Sequence, residues 1–292
     1  MRIRTIVIKI GLLGAFLLFP VSCSKQGPPF RLNPQQLTWG ESQLVQMPRD
    51  RPAMARYVSK GDKVWDWAVQ QFAGKWQAGG VEWDSASPHP LWDAQLYGAE
   101  GNKKARIQIT ERSTLKNFHY EEPKSGIELW YEAVFEFCNL RNLVVNHEIH
   151  RLALTGQMGE EEYAFRECYM EAVNTRQKVH DFFENLWVPN CEKLGLPAWD
   201  EFMVFTNNQN VPVFTPAQYV DFYFGVDYDH PRKGNMADED LAFHRNFFRK
   251  QYEDYSLPDL KAKNVPVPTP MAMDELKRKM VEEASKDGFP GN

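Results

Sequence analysis

The chain has 292 residues, 43% of them hydrophobic and 13% aromatic, which is enough to build a substantial core in one large domain or two small ones. The formal net charge is −5 at pH 7, from 34 basic and 39 acidic residues. Because the two signs are interspersed and no basic helix stands out, nucleic acid is excluded as an expected partner.

A basic and then apolar segment opens the chain and is not expected to belong to the fold. Basic residues at positions 2, 4 and 9 flank the start of an apolar run from Ile10 to Phe19. A run of about ten residues is too short to span a bilayer and is typical of a secretory signal peptide. Cys23 stands at the expected cleavage position.

The residues around Cys23 resemble the lipobox of bacterial lipoproteins, in which the cysteine becomes the lipidated first residue. The resemblance implies a signal peptide over residues 1–22, a palmitate-bearing anchor on Cys23 and a polar tether as far as Pro34. Ser24 would suit sorting to the outer membrane. Pro20 stands where leucine is usual, so simple secretion and an uncleaved anchor remain alternatives.

The first part of the fold is predicted to be mixed. Residues 35–60 show no periodicity and are expected to be irregular. A short helix is predicted over 61–74, with Val64, Trp65, Ala68 and Phe72 on one side. Val81–Trp83 and Ala105–Thr110 are expected to be strands joined by a loop, because the second alternates with a period of two.

Two long helices come next, from Gly126 to Leu154 and from Glu160 to Trp187. Gly156 is expected to end the first helix in the left-handed conformation, and Gly159 to cap the second. Three consecutive glutamates load the first turn of the second helix, where the helix dipole favours negative charge. The centre of the protein is therefore predicted to be an antiparallel helical hairpin.

The remainder is predicted to contain a short strand at Phe202–Phe205 and a helix that begins after Thr215. Residues 227–240 are expected to form a solvated acidic loop, since Pro231 and Arg232 break the EF-hand calcium pattern. A proline-rich linker over 264–270 leads to a last helix capped by Asp274. We thus expect one helix-dominated α+β domain over 35–263, followed by a linker and C-terminal helix over 264–292.

Three charged pairs are predicted across the hairpin. On a helical wheel, several charges fall inside or beside the apolar faces of the two helices, where they need partners. An antiparallel register with residue numbers summing to about 312–316 brings opposite charges together. The predicted structural ion pairs are Glu136 with Arg176, Arg141 with Glu171, and Glu148 with Arg166.

Two stretches come close to the zinc-protease pattern H-E-x-x-H. In Val134–Asn139 the glutamate, Glu136, is in place, but Phe135 and Asn139 stand where the histidines should be. In the second stretch His147 and His150 are three residues apart instead of four. These two histidines could share one ion only with further ligands, and solvated histidines are the expected outcome.

The order of elements and Glu136 resemble the scaffold of zincin-like metallopeptidases over residues 61–190. Glu167 and Glu171 fall where one branch of that family has its glutamate ligand. The resemblance implies a scaffold that has lost its metal, hence a pseudoenzyme or a binding protein without cofactor. Glu136 is the candidate catalytic residue if the chain is an enzyme.

Two other residue types bear on function. Cys138, Cys168 and Cys191 remain after Cys23; an odd number cannot all pair, and small buried thiols are expected, with a disulfide left open. Five tryptophans crowd one short region and could stack on sugars, although core packing is the commoner use. They are Trp65, Trp67, Trp76, Trp83 and Trp92.

These features favour a lipid-anchored protein of the bacterial cell envelope, of a non-catalytic binding or structural type. Its expected partners are the membrane, through the N-terminal lipid, and an envelope protein or glycan. Two alternatives stay open: a metal-dependent hydrolase with unconventional ligands, and a carbohydrate-binding protein that uses the tryptophan cluster.

Overall fold

The computed structural model describes residues 29–58, 60–88, 94–99, 102–112, 123–191, 193, 214–232 and 236–286. Helices dominate, and the sheet is a small mixed one of three strands, which confirms the predicted α+β class. The predicted signal peptide, the lipidated Cys23 and the predicted strand Phe202–Phe205 lie outside the described residues.

The described residues divide into two compact units. The first unit is formed by residues 29–143 and 178–193, and the second by residues 144–177 and 214–286. The C-terminal helix packs within the second unit, and the single domain expected over 35–263 stays a prediction.

The first unit begins with helix α1 (Pro34–Asp50), a 3-10 helix (Pro52–Tyr57) and helix α2 (Lys63–Phe72). The prediction of irregular structure over 35–60 was therefore wrong. Asn33 and Gln36 form a reciprocal capping box at the start of α1, which satisfies two backbone N–H groups that a helix end leaves free.

The sheet contains β1 (Val81–Trp83), β2 (Ala94–Tyr97) and β3 (Ala105–Ile109) in the order β1-β3-β2. β1 runs parallel to β3, and β2 runs antiparallel to it. The two predicted strands are confirmed, whereas β2 lies in the segment that was expected to be a loop.

The first long helix is confirmed as α3 (Gly126–Asn139), one 3-10 turn (Leu140–Asn142) and α4 (Leu143–Leu154). It starts in a capping box between Ser125 and Glu128. Gly126 lies against the 3-10 helix of the same unit, where a Cβ atom would approach the carbonyl oxygen of Ala53 to 1.9 Å. Only glycine permits this close contact.

The second long helix is also confirmed, with two interruptions. It runs as α5 (Glu160–Tyr169), a π-helical turn (Met170–Thr175), α6 (Arg176–Phe182), a second π-helical turn (Phe183–Trp187) and α7 (Val188–Cys191). It thus passes the predicted end at Trp187. Pro189, which lacks an N–H donor, follows the second π-helical turn within this helix.

The turn between the long helices has the predicted chemistry. Gly156 adopts a φ of 70°, and Gly159 is the extended N-cap of α5. The N–H of Gln157 donates to the carbonyl of Leu152, so the helix end is closed as in a Schellman motif. Across the turn, the ring of Tyr163 packs on that of His150, as the antiparallel hairpin predicted.

The second unit is completed by α8 (Pro216–Gly225), α9 (Met236–Gln251), a π-helical turn (Tyr252–Ser256), α10 (Leu257–Ala262) and α11 (Met273–Lys286). The capping box at Thr215 confirms the predicted start of α8. The predicted acidic loop over 227–240 is too long, because α9 already begins at Met236. Asp274 lies in the first turn of α11 and is not its cap.

Each unit has a buried interior of its own. In the first unit α3 packs on β2, β3 and the 3-10 helix. In the second unit α9 packs on α5, and α11 packs on α8. The interior of the second unit is rich in aromatic rings, among them Phe165, Tyr169, Tyr219 and Tyr223.

Candidate functional site

Glu136 lies in a filled part of the first unit's core. Its side chain has no exposed surface, and the neighbours Phe135 and Phe137 are buried as well. Asn139 stands three residues later on the same face of α3, and its Nδ2 donates to Glu136 Oε2 at 3.0 Å. The residues of the near-motif therefore meet each other and not an open cleft.

The surroundings of the Glu136 carboxyl favour its neutral form. Burial raises its pKa well above the ordinary value, and the negative charge of Glu132 raises it further. The hydrogen bond from Asn139 and the backbone of Leu96 oppose this effect. A protonated acid without access to solvent is unsuited to activate a water molecule as a general base.

Glu132, one helical turn earlier, behaves differently. Lys124 Nζ lies 2.7 Å from Glu132 Oε2, and both side chains are buried. The first unit thus contains one buried carboxylate with a cationic partner and one buried carboxyl, Glu136, that meets an amide.

A second buried polar group, which we call the His150 cluster, joins three helices of the second unit. It consists of His150 on α4, Tyr163 and Glu167 on α5, and Gln251 on α9. Tyr163 Oη lies 3.2 Å from His150 Nδ1 and donates to Gln251 Oε1 at 3.1 Å. Glu167 Oε1 lies 3.6 Å from His150 Nε2 and has no hydrogen-bond partner among the described residues.

Burial makes the His150 cluster neutral near pH 7. It lowers the pKa of His150 to about 3, with a smaller contribution from the charge of His147. It raises the pKa of Glu167 to about 8 and raises that of Tyr163. The contact between His150 and Glu167 is therefore one between an uncharged ring and a protonated acid, not an ion pair.

The two histidines of the second near-motif have different environments. His150 is buried in its cluster, whereas His147 is exposed on the same helix. Within the described ranges, no group of three or more histidine, cysteine, aspartate or glutamate side chains is placed to hold a metal ion.

The structure gives different partners to two of the three predicted ion pairs. Arg176 contacts Asp240 of α9 at 3.4 Å, and Glu136 contacts Asn139 instead. Glu148 pairs with Arg151 at 2.7 Å, three residues away on the same helix.

Arg166 of the predicted Glu148 pair likewise has other partners. It contacts Glu162 at 2.7 Å and Glu283 of α11 at 2.9 Å. The pairing of Arg141 with Glu171 stays a prediction; the Arg141 guanidinium lies 4.7 Å from the ring centre of Trp76.

The glutamates of the first turn of α5 hold the second unit together, a role that the sequence analysis did not foresee. Arg245 of α9 makes a two-pronged contact with Glu161, at 2.6 and 2.8 Å. Tyr223 Oη donates to Glu161 at 2.9 Å, and the Arg245 guanidinium lies 4.0 Å from the ring centre of Tyr228. Arg249, one helical turn after Arg245, contacts Glu160, and the spacing of these two arginines was the available signal.

A buried lysine was also missed. Lys178 is buried in the first unit, and its Nζ donates to Asn142 Oδ1 at 3.0 Å. Burial and the charge of Arg141 lower its pKa to about 8.

All three described cysteines are buried free thiols, as expected. Burial raises the pKa of Cys138 to about 12 and also raises that of Cys168. The thiols of Cys138 and Cys168 are therefore protonated and unreactive in the folded protein.

The tryptophans mostly serve packing. Trp65 and Trp83 are buried, and Trp67 lies 4.4 Å, centre to centre, from the ring of Phe182. Trp76 is half-buried, and Trp92 lies outside the described residues.

The acidic loop carries its own internal contacts. Asp227 Oδ1 accepts hydrogen bonds from the N–H groups of Asp229 and His230, and Arg232 contacts Asp238. Residues 233–235 of that loop lie outside the described part.

No protein-family model, no curated protein and no solved structure matches this chain. Among the described residues, none of the helices has both the length and the apolar character needed to cross a bilayer.

Proposed function

We propose that the chain is a lipid-anchored protein of the bacterial cell envelope, of a non-catalytic binding or structural type. The observation that carries the proposal is the N-terminal segment, in which basic residues and a short apolar run precede Cys23. In the proposed protein Cys23 bears the lipid and the two helical units act outside the bilayer.

The buried acids support the non-catalytic part of the proposal. Glu136, the candidate catalytic residue, is buried in the core with a pKa raised well above its ordinary value, and Glu167 is a neutral acid beside an uncharged His150. Neither carboxyl has the solvent access that hydrolysis requires. If the zincin-like resemblance holds, the chain is a pseudoenzyme whose partner is an envelope protein or a glycan.

Metabolic labelling with a clickable palmitate analogue tests the anchor. The full chain is expressed in a bacterium, and the label on wild type is compared with that on Cys23→Ala and on the neighbouring control Ser24→Ala. We expect label on wild type and the control, and none on Cys23→Ala. An unlabelled wild-type protein would contradict the lipid anchor.

Metal analysis of the purified full chain tests the non-catalytic assignment. We expect substoichiometric zinc and an unchanged unfolding midpoint in chelator. Stoichiometric zinc that is lost in a His147→Ala/His150→Ala double variant would favour the hydrolase alternative instead.

A further inference from the structure

Three segments of the first unit carry positive charge without any acidic residue. Residues 29–40, 73–80 and 102–105 contain Arg31, Lys75, Lys103 and Lys104. The chain as a whole has a net charge of −5, so this local excess of basic residues runs against its average composition.

Hydrogen bonds and a cation–π contact join these segments into one surface, which we call the basic face. The N–H of Phe30 donates to the carbonyl of Lys75 at 2.7 Å. Lys104 donates to the carbonyl of Gly79, and its Nζ lies 4.8 Å from the ring centre of Trp39. The start of α1, the turn after α2 and the start of β3 therefore lie side by side.

The basic face also presents apolar and aromatic side chains to solvent. Phe30 is 50% exposed and Leu37 is 39% exposed. Trp39 and Trp76 are half-buried, and Arg141 adds a further guanidinium over the Trp76 ring at 4.7 Å. Aromatic rings together with lysine and arginine are the composition that proteins place at the headgroup level of a bilayer.

The tether brings this face to the membrane. Phe30 comes seven residues after Cys23, and seven residues span about 25 Å when fully extended. A lipid on Cys23 would therefore hold Phe30, and with it the hydrogen-bonded turn at Lys75, within that distance of the bilayer surface. Membrane phosphates attract basic residues within a Debye length, about 8 Å at physiological salt.

We propose that the basic face docks on the phosphate headgroups of the same bilayer that holds Cys23. The inference rests on the proposed function, because the lipid on Cys23 is what supplies the high local concentration of headgroups. Phe30 and Leu37 would insert at the headgroup level, and the lysines would contact phosphate oxygens. The docked face fixes which side of the first unit is turned to the membrane.

Lysine acylation in reconstituted vesicles tests the docking. The full lipidated chain is placed in vesicles with and without phosphatidylglycerol, treated with a water-soluble acylating reagent, and compared with the same protein in detergent. We expect Lys103 and Lys104 to be protected only in vesicles that contain the anionic lipid, and the protection to decrease with added salt. Lys63, at the other end of α2, is exposed and serves as the internal control.

A matched pair of variants sharpens the test. One lysine near an anionic surface contributes about 1 kcal/mol, which corresponds to about fivefold in binding. Lys75→Gln should therefore lower the protection of Lys103 and Lys104 about fivefold, whereas Lys63→Gln, which removes the same charge, should not change it.

The outcomes separate this inference from the proposed function. The mass of the peptide that carries Cys23 reports the lipid, independently of acylation. If the lipid is present but Lys103 and Lys104 react as fast in vesicles as in detergent, the docking is overturned and the anchor stands. If the lipid is absent, the same acylation with vesicles added tests whether the basic face binds headgroups without the anchor. If a soluble anionic glycan protects Lys103 and Lys104 and vesicles do not, the basic face binds a glycan and the proposed docking on the membrane is wrong.

Discussion

Glu136 is a carboxyl whose pKa the folded chain raises well above its ordinary value, chiefly because the group is buried. The unfolded chain lacks this raised pKa, so folding favours the protonated form of the group. Because the folded pKa is raised, the stability from this group is fully present below the ordinary pKa of 4.5 and is lost as the pH rises through the folded pKa.

Glu136→Gln should therefore stabilise the protein at neutral pH. Glutamine keeps the shape and the acceptor for Asn139 but has no proton to bind. We expect the free energy of unfolding at pH 7 to rise by on the order of 1 kcal/mol, with the difference vanishing towards pH 4. Denaturant unfolding at several pH values measures the effect.

Glu132→Gln is the matched control, since the same chemical change one turn earlier should have the opposite sign. It removes the partner of the buried Lys124 and should cost about 3 kcal/mol. A Glu136→Gln variant that is destabilised to the same extent as Glu132→Gln would show that Glu136 is ionised and paired.

The His150 cluster gives the second unit a stability optimum in pH. The pKa of His150 falls from 6.5 to about 3 on folding, so stability is lost as the pH drops from 6.5 to 3. The pKa of Glu167 rises from 4.5 to about 8, so stability is lost as the pH rises from 4.5 to 8. The two effects cancel between pH 4.5 and 6.5. Below pH 4.5 only His150 acts and above pH 6.5 only Glu167 acts, and in each range the free energy of unfolding changes by about 1.4 kcal/mol per pH unit.

Two single variants should each remove the pH dependence of stability that comes from one residue. Glu167→Gln should flatten the loss of stability above pH 6.5, and His150→Gln should flatten the loss below pH 4.5. Unfolding midpoints measured from pH 3 to pH 8 test both. If Glu167→Gln still loses stability above pH 6.5, that loss comes from another group.

At the scale of elements, the start of α3 depends on the absence of one methyl group. Gly126→Ala would place Cβ 1.9 Å from the carbonyl oxygen of Ala53, on backbone that cannot move freely. We expect a loss of about 3 kcal/mol in the free energy of unfolding.

Gly225, the last residue of α8, provides the comparison. A Cβ there meets nothing within 4 Å, so Gly225→Ala should change stability by less than about 1 kcal/mol. Equal effects of the two substitutions would mean that the contact with Ala53 is not a constraint.

Local signals predicted helix ends better than they predicted the sheet. Gly156 and Thr215 were read correctly because a left-handed stop and a capping box are encoded within a few residues. Asn33 and Gln36 form the same box at α1 and could have been read in the same way. β2 could not, since Ala94–Tyr97 is a strand only through its pairing with β3.

Two of the three ion pairs, Glu136 with Arg176 and Glu148 with Arg166, were mispredicted for two physical reasons. The register was counted on straight α-helices, but the π-helical turn at Met170–Thr175 inserts extra residues before Arg176 and rotates the rest of the helix. In addition, Asp240 and Glu283 come from α9 and α11, whose packing on the hairpin is not visible in its own sequence.

At the scale of the whole molecule, the number of reactive thiols depends on folding and on whether Cys23 carries a lipid. Three of the four cysteines are buried free thiols, and the fourth is Cys23. We expect the three described thiols to stay unreactive towards a thiol reagent in the native protein. In denaturant, three thiols should react if Cys23 is lipidated, and four if it is not.

A variant without Cys23 is the control for this thiol count. Cys23→Ala should give three reactive thiols in denaturant whatever its processing. Fewer than three in the unfolded variant would mean that two of the buried cysteines are joined by a disulfide.

The location could be predicted from the sequence alone, whereas the surroundings of the candidate site could not. The features that predict location lie within the first 23 residues and need no tertiary structure. Whether Glu136 faces a cleft or a core depends on Leu96 and the other residues packed over α3, which come from distant positions in the chain.

The order in which the two units alternate along the chain governs how the protein can be made. Residues 29–143 leave the first unit incomplete, because Phe182, Phe183 and Trp187 complete its core only after residues 144–177 of the second unit have been synthesised. The second unit in turn waits for α11. Neither unit can therefore complete its core until most of the chain has been synthesised, so apolar surface of the unfinished units stays exposed until then.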